Sequence, residues 1–582
     1  MRIISTLTAN YSIVILFMFI FSMPALLFPK KNNAKDLILE KILISIFAAL
    51  NIIMQVMFFS AQKEISISGT ANKLFWLMLG LAITSVALNS RGVLSIFKIE
   101  VKYLAMSLVP IFPVLLLAAR SGLTYPFSSS MNNDIASYAG TAEAFGETGW
   151  ENTQTISSFN LNEFAQISSP FGTTSLLAFF SKVLSLKSFE ITTATMAVAI
   201  VINLLCGAQL YRSMHRERNT NFLVPTLVIA FFCPIMTYVI ANYFLGQIFC
   251  LGICLLFLSA VIELSHNTKT KQIYRIQIIL SVSNGIYLYP VFTIPFFLFV
   301  LLTLSVYQIY KKESDIKTIL QPYLGMLLGV IISATYVLTA IKILNSQANA
   351  TAGWKLPSLN MIAILLFPEL IGIEFSSLAV LTTWIFFFTL LALLFFRLKH
   401  QNNLVIGYLS FVALPIFLCT AFMIYSKNGI ADYKIWKLIT FLLPIMLLYL
   451  VPLVASYAKY GFVLVTIIAT LAASSPMTTW AINAKSDAIM TKDMENLQHL
   501  KELKPYRELN IKLGNYFESM AMASMLNDKI LFINNYTYWP RTYKNEACTI
   551  MRYDQVTNEK ILKILNQTYV LVTVPNIECK LT

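Results

Sequence analysis

Asp134 is the residue in this chain best placed to do chemistry. It closes the polar run Tyr125-Pro-Phe-Ser-Ser-Ser-Met-Asn-Asn-Asp134 and heads a segment, Ile135 to Phe145, whose composition suits a helix lying on a membrane face. A carboxylate at the start of a helix is favoured by the helix dipole and stays ionised. So placed, it can take a proton from an attacking hydroxyl or hold a divalent cation. Glu143, Glu147, Glu151 and Glu163 follow, and no Lys or Arg lies between Arg120 and Lys182. The competing reading makes Asp134 a plain helix cap and the glutamates a solvated face.

A second group is Asp432-Tyr433-Lys434-Ile435-Trp436-Lys437, at the outer start of an apolar run. A lysine at headgroup depth can pair with a phosphate while its stem stays in the apolar boundary. Ordinary snorkelling beside an aromatic belt is the competing account.

The elements that must position these residues are apolar and long. The chain of 582 residues is 57% apolar and 12% charged, with a mean hydropathy of +0.69, which marks a polytopic membrane protein. A spanning helix needs about 20 mostly apolar residues. That template places spans near 10–29, 37–59, 73–89, 103–119, 190–210, 222–241, 246–264, 276–289, 290–309, 319–343, 376–396, 402–424, 436–453 and 458–475, so the expected bundle has about 12–14 spans. The segments 171–186 and 359–374 are too short or too interrupted to cross and read as interfacial or re-entrant. With these spans, every strong basic cluster (Lys30 and Lys31, Arg91 and Lys98, Arg212 and Arg216, Lys269 and Lys271, Lys311 and Lys312, Arg397 and Lys399) falls on one side. The loop from Ser121 to Ser169 and the carboxy-terminal tail then fall opposite, outside the cytoplasm. The net charge of +15 is therefore mostly a topology signal and does not point to nucleic acid.

The expected domains are amino-terminal helices over 1–119, an extracytoplasmic loop with interfacial helices over 120–189, a helical core over 190–480 and a small extracytoplasmic α/β domain over 481–582. In that tail, helix-like periodicity covers Met494–Leu503, Arg507–Met525 and Asn558–Leu565. Strands are expected at 529–534 and 569–574. Tyr536, Tyr538, Trp539, Arg541 and Tyr543 crowd one loop between them. Cys548 and Cys579 are the only cysteines in the tail, and in an oxidising compartment such a pair tends to be joined. The other five cysteines lie in or beside apolar spans and read as small hydrophobes.

Nucleotide-binding loops of the GxxxxGK[ST] type, GxGxxG and HExxH are all absent from the sequence, and the four histidines are scattered. No Asp, Glu, Lys or Arg falls in the middle of an expected span, which disfavours an ion-coupled transporter. Asn51, Gln55, Asn203 and Asn284 are the mid-span polar groups, and helix–helix hydrogen bonding accounts for them.

This arrangement resembles the GT-C superfamily of membrane glycosyltransferases, most specifically in the run Asn132-Asn133-Asp134-Ile135-Ala136-Ser137-Tyr138. The resemblance implies that Asp134 is the base or acceptor-orienting acid and that Tyr138 contacts substrate. It also implies that Lys434 and Lys437, with Tyr433, hold the phosphate of a lipid donor. Glu369 and Glu374, in the outer re-entrant segment, are candidates for acceptor contacts. No metal site is expected; Asn132 and Asn133 stand where the family often has a second acid, so a divalent cation is the one cofactor left open. The implied reaction moves a sugar from a polyprenyl phosphate to an envelope glycan, lipid or protein on the outer face of a bacterial inner membrane. The partners are then the lipid-linked sugar, that acceptor and the surrounding lipids. The alternatives are a polysaccharide polymerase or ligase, which would want outer-face arginines, and a flippase of lipid-linked sugars, which would want a polar path through the bundle.

Overall fold

A computed structural model describes residues 2–28, 37–63, 65–120, 122–123, 125, 134–148, 171–215, 220–265, 271–311, 316–349, 430–456, 460–483, 492–497, 500–506, 508–513, 518–519, 522, 526, 530–533 and 547–573. Its helices are α1 (Arg2–Ser22), α2 (Ile38–Gln62), α3 (Ile67–Leu88), α4 (Ser90–Arg120), α5 (Asp134–Thr148), α6 (Phe171–Leu184), α7 (Ser188–Met214), α8 (Leu223–Phe232), α9 (Pro234–Ala241) and α10 (Leu245–Ser265). The series continues with α11 (Lys271–Leu288), α12 (Pro290–Lys311), α13 (Ile316–Ile332), α14 (Ala334–Asn349), α15 (Ile430–Ala455), α16 (Gly461–Asn483) and α17 (Lys492–Leu497). Among the described residues, 6 helices are long and apolar enough to cross a membrane, or 8 if each of two bent pairs counts as one. The protein is an integral membrane protein with a mainly helical, polytopic fold. Three expected apolar segments, 359–374, 376–396 and 402–424, lie outside the described residues.

Helices α7 and α10 are apolar all round and are buried along their whole apolar length, so they form the centre of the bundle. Helix α3 turns Trp76, Leu77, Ile83 and Leu88 outward, as a helix facing lipid does. Inside hydrocarbon the surplus polarity of a side chain must be met by another helix. Asn203 donates to the Ile248 carbonyl at 2.8 Å, Asn284 to the Phe47 carbonyl at 3.0 Å and Asn51 to the Ser283 hydroxyl at 2.7 Å. Gln55 reaches the Ile332 carbonyl at 3.2 Å. Gly325 and Gly329 let α13 lie close on α11: a Cβ on Gly329 would stand 2.7 Å from the Ile279 carbonyl oxygen and from the Val282 Cβ.

Two expected spans are not straight. The segment expected over 222–241 bends by 56° between α8 and α9. Pro234 supplies no N–H there and opens α9 at its first turn. The segment expected over 319–343 bends by 89° at Ser333, whose hydroxyl bonds back to the Gly329 carbonyl at 2.8 Å.

The start of α1 and the end of α4 meet, because the Thr6 hydroxyl donates to the Leu123 carbonyl at 3.2 Å. Gly122, at φ +76°, lies against the Lys492 side chain of α17. The entry to the tail therefore sits at the same end of the bundle as the chain leading into α5.

The tail holds a five-stranded sheet in the order β2-β1-β3-β5-β4. The strands are β1 (Glu508–Lys512), β2 (Ile530–Ile533), β3 (Cys548–Arg552), β4 (Lys560–Ile564) and β5 (Tyr569–Thr573). β1 pairs in parallel with β2 and β3; β5 pairs antiparallel with β3 and β4. The strands expected at 529–534 and 569–574 are present. Of the helix expected over Arg507–Met525, the first part, Glu508–Lys512, is strand β1, whereas Glu518, Ser519 and Met522 are helical; the helix expected over Asn558–Leu565 is replaced by strand β4. In β1, Leu509 and Ile511 are buried and Asn510 donates to the Ala547 carbonyl at 2.9 Å, so pairing outweighs local helical preference. In β4, Lys-Ile-Leu-Lys-Ile is compatible with either period, and a bulge between Ile561 and Lys563 fits it to β5. The aromatic loop at 536–543 lies outside the described residues.

Two outcomes test this packing. Gly329→Leu should destabilise the purified protein by about 1–3 kcal/mol through overpacking, whereas Gly80→Leu, with open space at its Cβ, should be near neutral in thermal unfolding; equal effects would refute the close approach. Cys548 is disulfide-bonded, and Cys579, its expected partner, lies outside the described residues. Peptide mapping of non-reduced protein should recover Cys548 linked to Cys579, and a different partner would overturn that pairing.

Candidate active site

Helix α5 covers Asp134–Thr148, and the residues at 126–133 before it lie outside the described residues; Tyr138 follows Asp134 by one turn. The buried side of α5 includes Tyr138, Ala139, Ala142 and Phe145. Phe145 meets Phe171 edge-on at 5.3 Å between ring centres. Phe171 is the first described residue of α6, and its amide donates to the Tyr336 hydroxyl at 3.3 Å. Tyr336 stacks on Tyr287 at 4.6 Å, and Phe58 packs edge-on against both Phe171 and Tyr336. This aromatic cluster ties α2, α5, α6, α11 and α14 together beneath the site.

The N-terminal turn of α10 lies above it. The chain arrives there through a tight turn in which Tyr243 adopts φ +53°. A non-glycine residue in that region costs about 1–3 kcal/mol. The buried hydrogen bond between the Tyr243 and Thr193 hydroxyls, at 2.7 Å, helps to hold it there. Gly246 follows. A Cβ on Gly246 would stand 3.2 Å from the Thr173 hydroxyl, 3.3 Å from the Tyr138 hydroxyl and 3.4 Å from the Tyr289 ring. Four elements thus converge on one glycine, and any side chain there would push against three of them.

Lys437 completes the group. It is half-buried on α15, and its ammonium donates to the Tyr289 hydroxyl at 2.7 Å while lying 5.5 Å from the centre of the same ring. One turn later Phe441 packs on Phe292, which stacks on Tyr289 at 5.3 Å, so the lysine and its partner are fixed as a pair. Gln247 donates to the Thr440 hydroxyl, which in turn donates to the Lys437 carbonyl at 2.6 Å. Among the described residues, the Thr173 hydroxyl and the Gln247 side-chain oxygen are buried without a hydrogen-bond partner. The result is a cation and several hydroxyls beside a helix N-terminus, a combination suited to an oxyanion.

The structure therefore brings Tyr138 and Lys437 to one place. Asp134, Tyr433 and Lys434 sit on α5 and α15, and their side chains lie outside the described residues, as do Glu369 and Glu374 altogether. Thr173, Gly246, Gln247 and Tyr289 join the group without having been singled out in the sequence. A glutamine near the start of a span and a Tyr-Pro step between two apolar runs were the available signals.

Glu143 is not on a solvated face. It is buried, and its carboxylate receives Lys182 and Lys187 at 3.4 Å each, the Ser188 amide at 2.8 Å and the Ser188 hydroxyl at 2.9 Å. Burial alone would raise its pKa, but the two ammonium groups and the Ser188 donors outweigh it and hold the carboxyl below the usual range. Among the described residues no group of three or more His, Cys, Asp or Glu is arranged to hold a metal.

The sign of the Glu143 effect can be checked. Its folded pKa lies below the unfolded value of about 4.3, so the stabilisation is present above that pH and is lost as pH falls through it toward the folded value. Thermal unfolding should therefore fall more steeply below about pH 5 in the native protein than in Glu143→Gln; identical slopes would contradict the pairing.

No family model matches the sequence, and no curated protein matches it. Among solved structures, the crystal structure of apo ArnT from Cupriavidus metallidurans aligns with 81% of this chain and 97% of its own length, at 13% identity and a TM-score of 0.50. The structure of the same protein bound to undecaprenyl phosphate aligns over 82% and 98%, at 11% identity and a TM-score of 0.47. At these identities the likeness is one of fold: the chain has the polytopic helical architecture of the ArnT structure, in keeping with the architecture that its sequence led us to expect.

Proposed function

We propose that this protein is an inverting GT-C-type glycosyltransferase that moves a sugar from a polyprenyl-phosphate donor to an envelope glycan, lipid or protein. The carrying observation is that Tyr138, on the helix that carries Asp134, and the Lys437–Tyr289 pair both border Gly246 in the N-terminal turn of α10. An acid-bearing helix and a cation at one end of a bundle with this fold suit a base and a phosphate clamp.

In this reading the Asp134 carboxylate takes the proton of an acceptor hydroxyl. That oxygen bonds to the anomeric carbon from the side opposite the phosphate, and the carbon–oxygen bond to the phosphate breaks with its electron pair. The leaving polyprenyl phosphate gains negative charge, which Lys437 and the positive end of α10 offset. Lys434 and Tyr433 supplement the clamp, and Glu369 and Glu374 contact the acceptor. The Cα of Asp134 is one turn from that of Tyr138, about 6 Å along the helix. The charge distribution of the sequence supports outer-face action in a bacterial inner membrane, with α5 and the tail opposite the basic loops.

Asp134→Asn should lower transfer by about 10²–10⁴-fold, the usual contribution of a positioned base, with protein level unchanged; mass spectrometry of envelope glycans from a complemented deletion strain reads this out. Normal glycans from Asp134→Asn would sink the catalytic assignment. Lys437→Ala should weaken use of the lipid donor without loss of membrane insertion, and donor titration that matches the native protein would remove the phosphate role. Reporter fusions at Asn152 and after Thr582 should report outside and one at Arg218 inside; a cytoplasmic tail would overturn the choice of a membrane-borne donor.

A further inference from the structure

Glu143 gathers more charge-assisted contacts than its place on the outer helix requires. Its four donors come from two other elements: Lys182 from the last turn of α6, and Lys187 with Ser188 from the N-terminus of α7. The turn between them is strained, with Ser185 at φ +54°, and the Lys187 amide is itself held by Glu190 at 2.7 Å. Lys182 also runs across the next part of α5, since a Cβ on Gly146 would lie 2.4 Å from its Cε. Residues 143–146 of α5 are therefore fixed in height by a close approach and in rotation by a salt-bridged carboxylate. Tyr138 is five residues back along a helix of about 1.5 Å rise, and Asp134 nine residues back. A shift of the anchored turn is carried to both.

A direct chemical role does not suit Glu143. Its carboxylate is buried, and both oxygens already accept from donors, so it has neither the access nor the basicity to take a substrate proton. Space filling alone would be served as well by a neutral side chain of the same size, which could accept from only one of its two terminal atoms.

We infer that Glu143 is a positioning residue whose negative charge, received by Lys182, Lys187 and Ser188, sets where α5 presents Tyr138 to the N-terminal turn of α10 and, with it, the height of the turn that carries Asp134. This inference rests on the reading that α5 carries the acid of a sugar transfer. A misplacement of about 1 Å at such a site costs on the order of 10²-fold in rate.

The test compares Glu143→Gln, which keeps size and loses charge, with Glu143→Asp, which keeps charge and loses a methylene. Full-length protein in lipid nanodiscs is followed by hydrogen exchange over residues 134–148, and envelope glycans of complemented strains report transfer. Glu143→Gln should speed exchange across α5 by about tenfold with α7 and α10 unchanged. It should also lower transfer by at least about tenfold, while Glu143→Asp should stay within about threefold of the native protein. A side chain that only fills space gives the opposite order, with Gln better than Asp, and that order overturns the inference, as does unchanged exchange in Glu143→Gln. If α5 loosens and glycans stay normal, positioning is also overturned. Asp134→Asn then separates the two ideas: loss of transfer there leaves the catalytic reading standing, and normal transfer removes both.

Discussion

Hydrocarbon does not solvate charge, and the rest of this molecule follows from that constraint. Helices α7 and α10 are apolar on every side and fill the centre. The polar side chains that remain inside, such as Asn203 and Asn284, are spent on joining helices. Chemistry is left to the ends of the bundle. At one of them α10 offers the start of a helix, α11 and α12 meet at Tyr289, and α15 brings in Lys437. The charge of Lys437 is tolerated there because it lies at the edge of the apolar region with a hydroxyl and an aromatic face as partners.

The two halves of the candidate site are held by different forces. On the Lys437 side, packed aromatic rings of Tyr289, Phe292 and Phe441 hold the hydroxyl to which the half-buried lysine donates. On the α5 side, apolar contact through Phe145 is joined by the ion cluster at Glu143. Removing one member of a buried charge cluster is costly, about 3–5 kcal/mol, because the others are left uncompensated. A short helix anchored in this way keeps its register better than packing alone would allow.

Much of the architecture was legible in the residues. Hydropathy located a span inside each long described helix but not its ends: α1 starts at Arg2 where 10 was expected and α4 at Ser90 where 103 was expected, because polar residues extend these helices beyond their apolar stretches. Other features depend on contacts that sequence distance hides. Glu143 and Lys187 are 44 positions apart, and nothing local links them; read alone, the glutamate belongs to an acidic loop and the lysine to a helix end. Tyr289 and Gly246 sit inside apolar runs, where an aromatic or a glycine carries little information until the neighbouring helices are placed. In the tail, Glu508-Leu-Asn-Ile-Lys512 and Lys560-Ile-Leu-Lys-Ile564 fit a helix or a strand equally well, and the sheet decided between them. The bends at Pro234 and Ser333 arise from single residues in stretches whose hydropathy is uniform.

The central claim is that donor phosphate and acid meet at the N-terminal turn of α10. Cryo-electron microscopy of the protein in nanodiscs with added undecaprenyl phosphate tests it most directly. The account predicts phosphate density within about 3–4 Å of the Lys437 ammonium, on the same side of Gly246 as Tyr138 and with Asp134 facing it. Phosphate bound at the opposite end of the bundle, or at the outer end but beyond reach of Lys437, would contradict it.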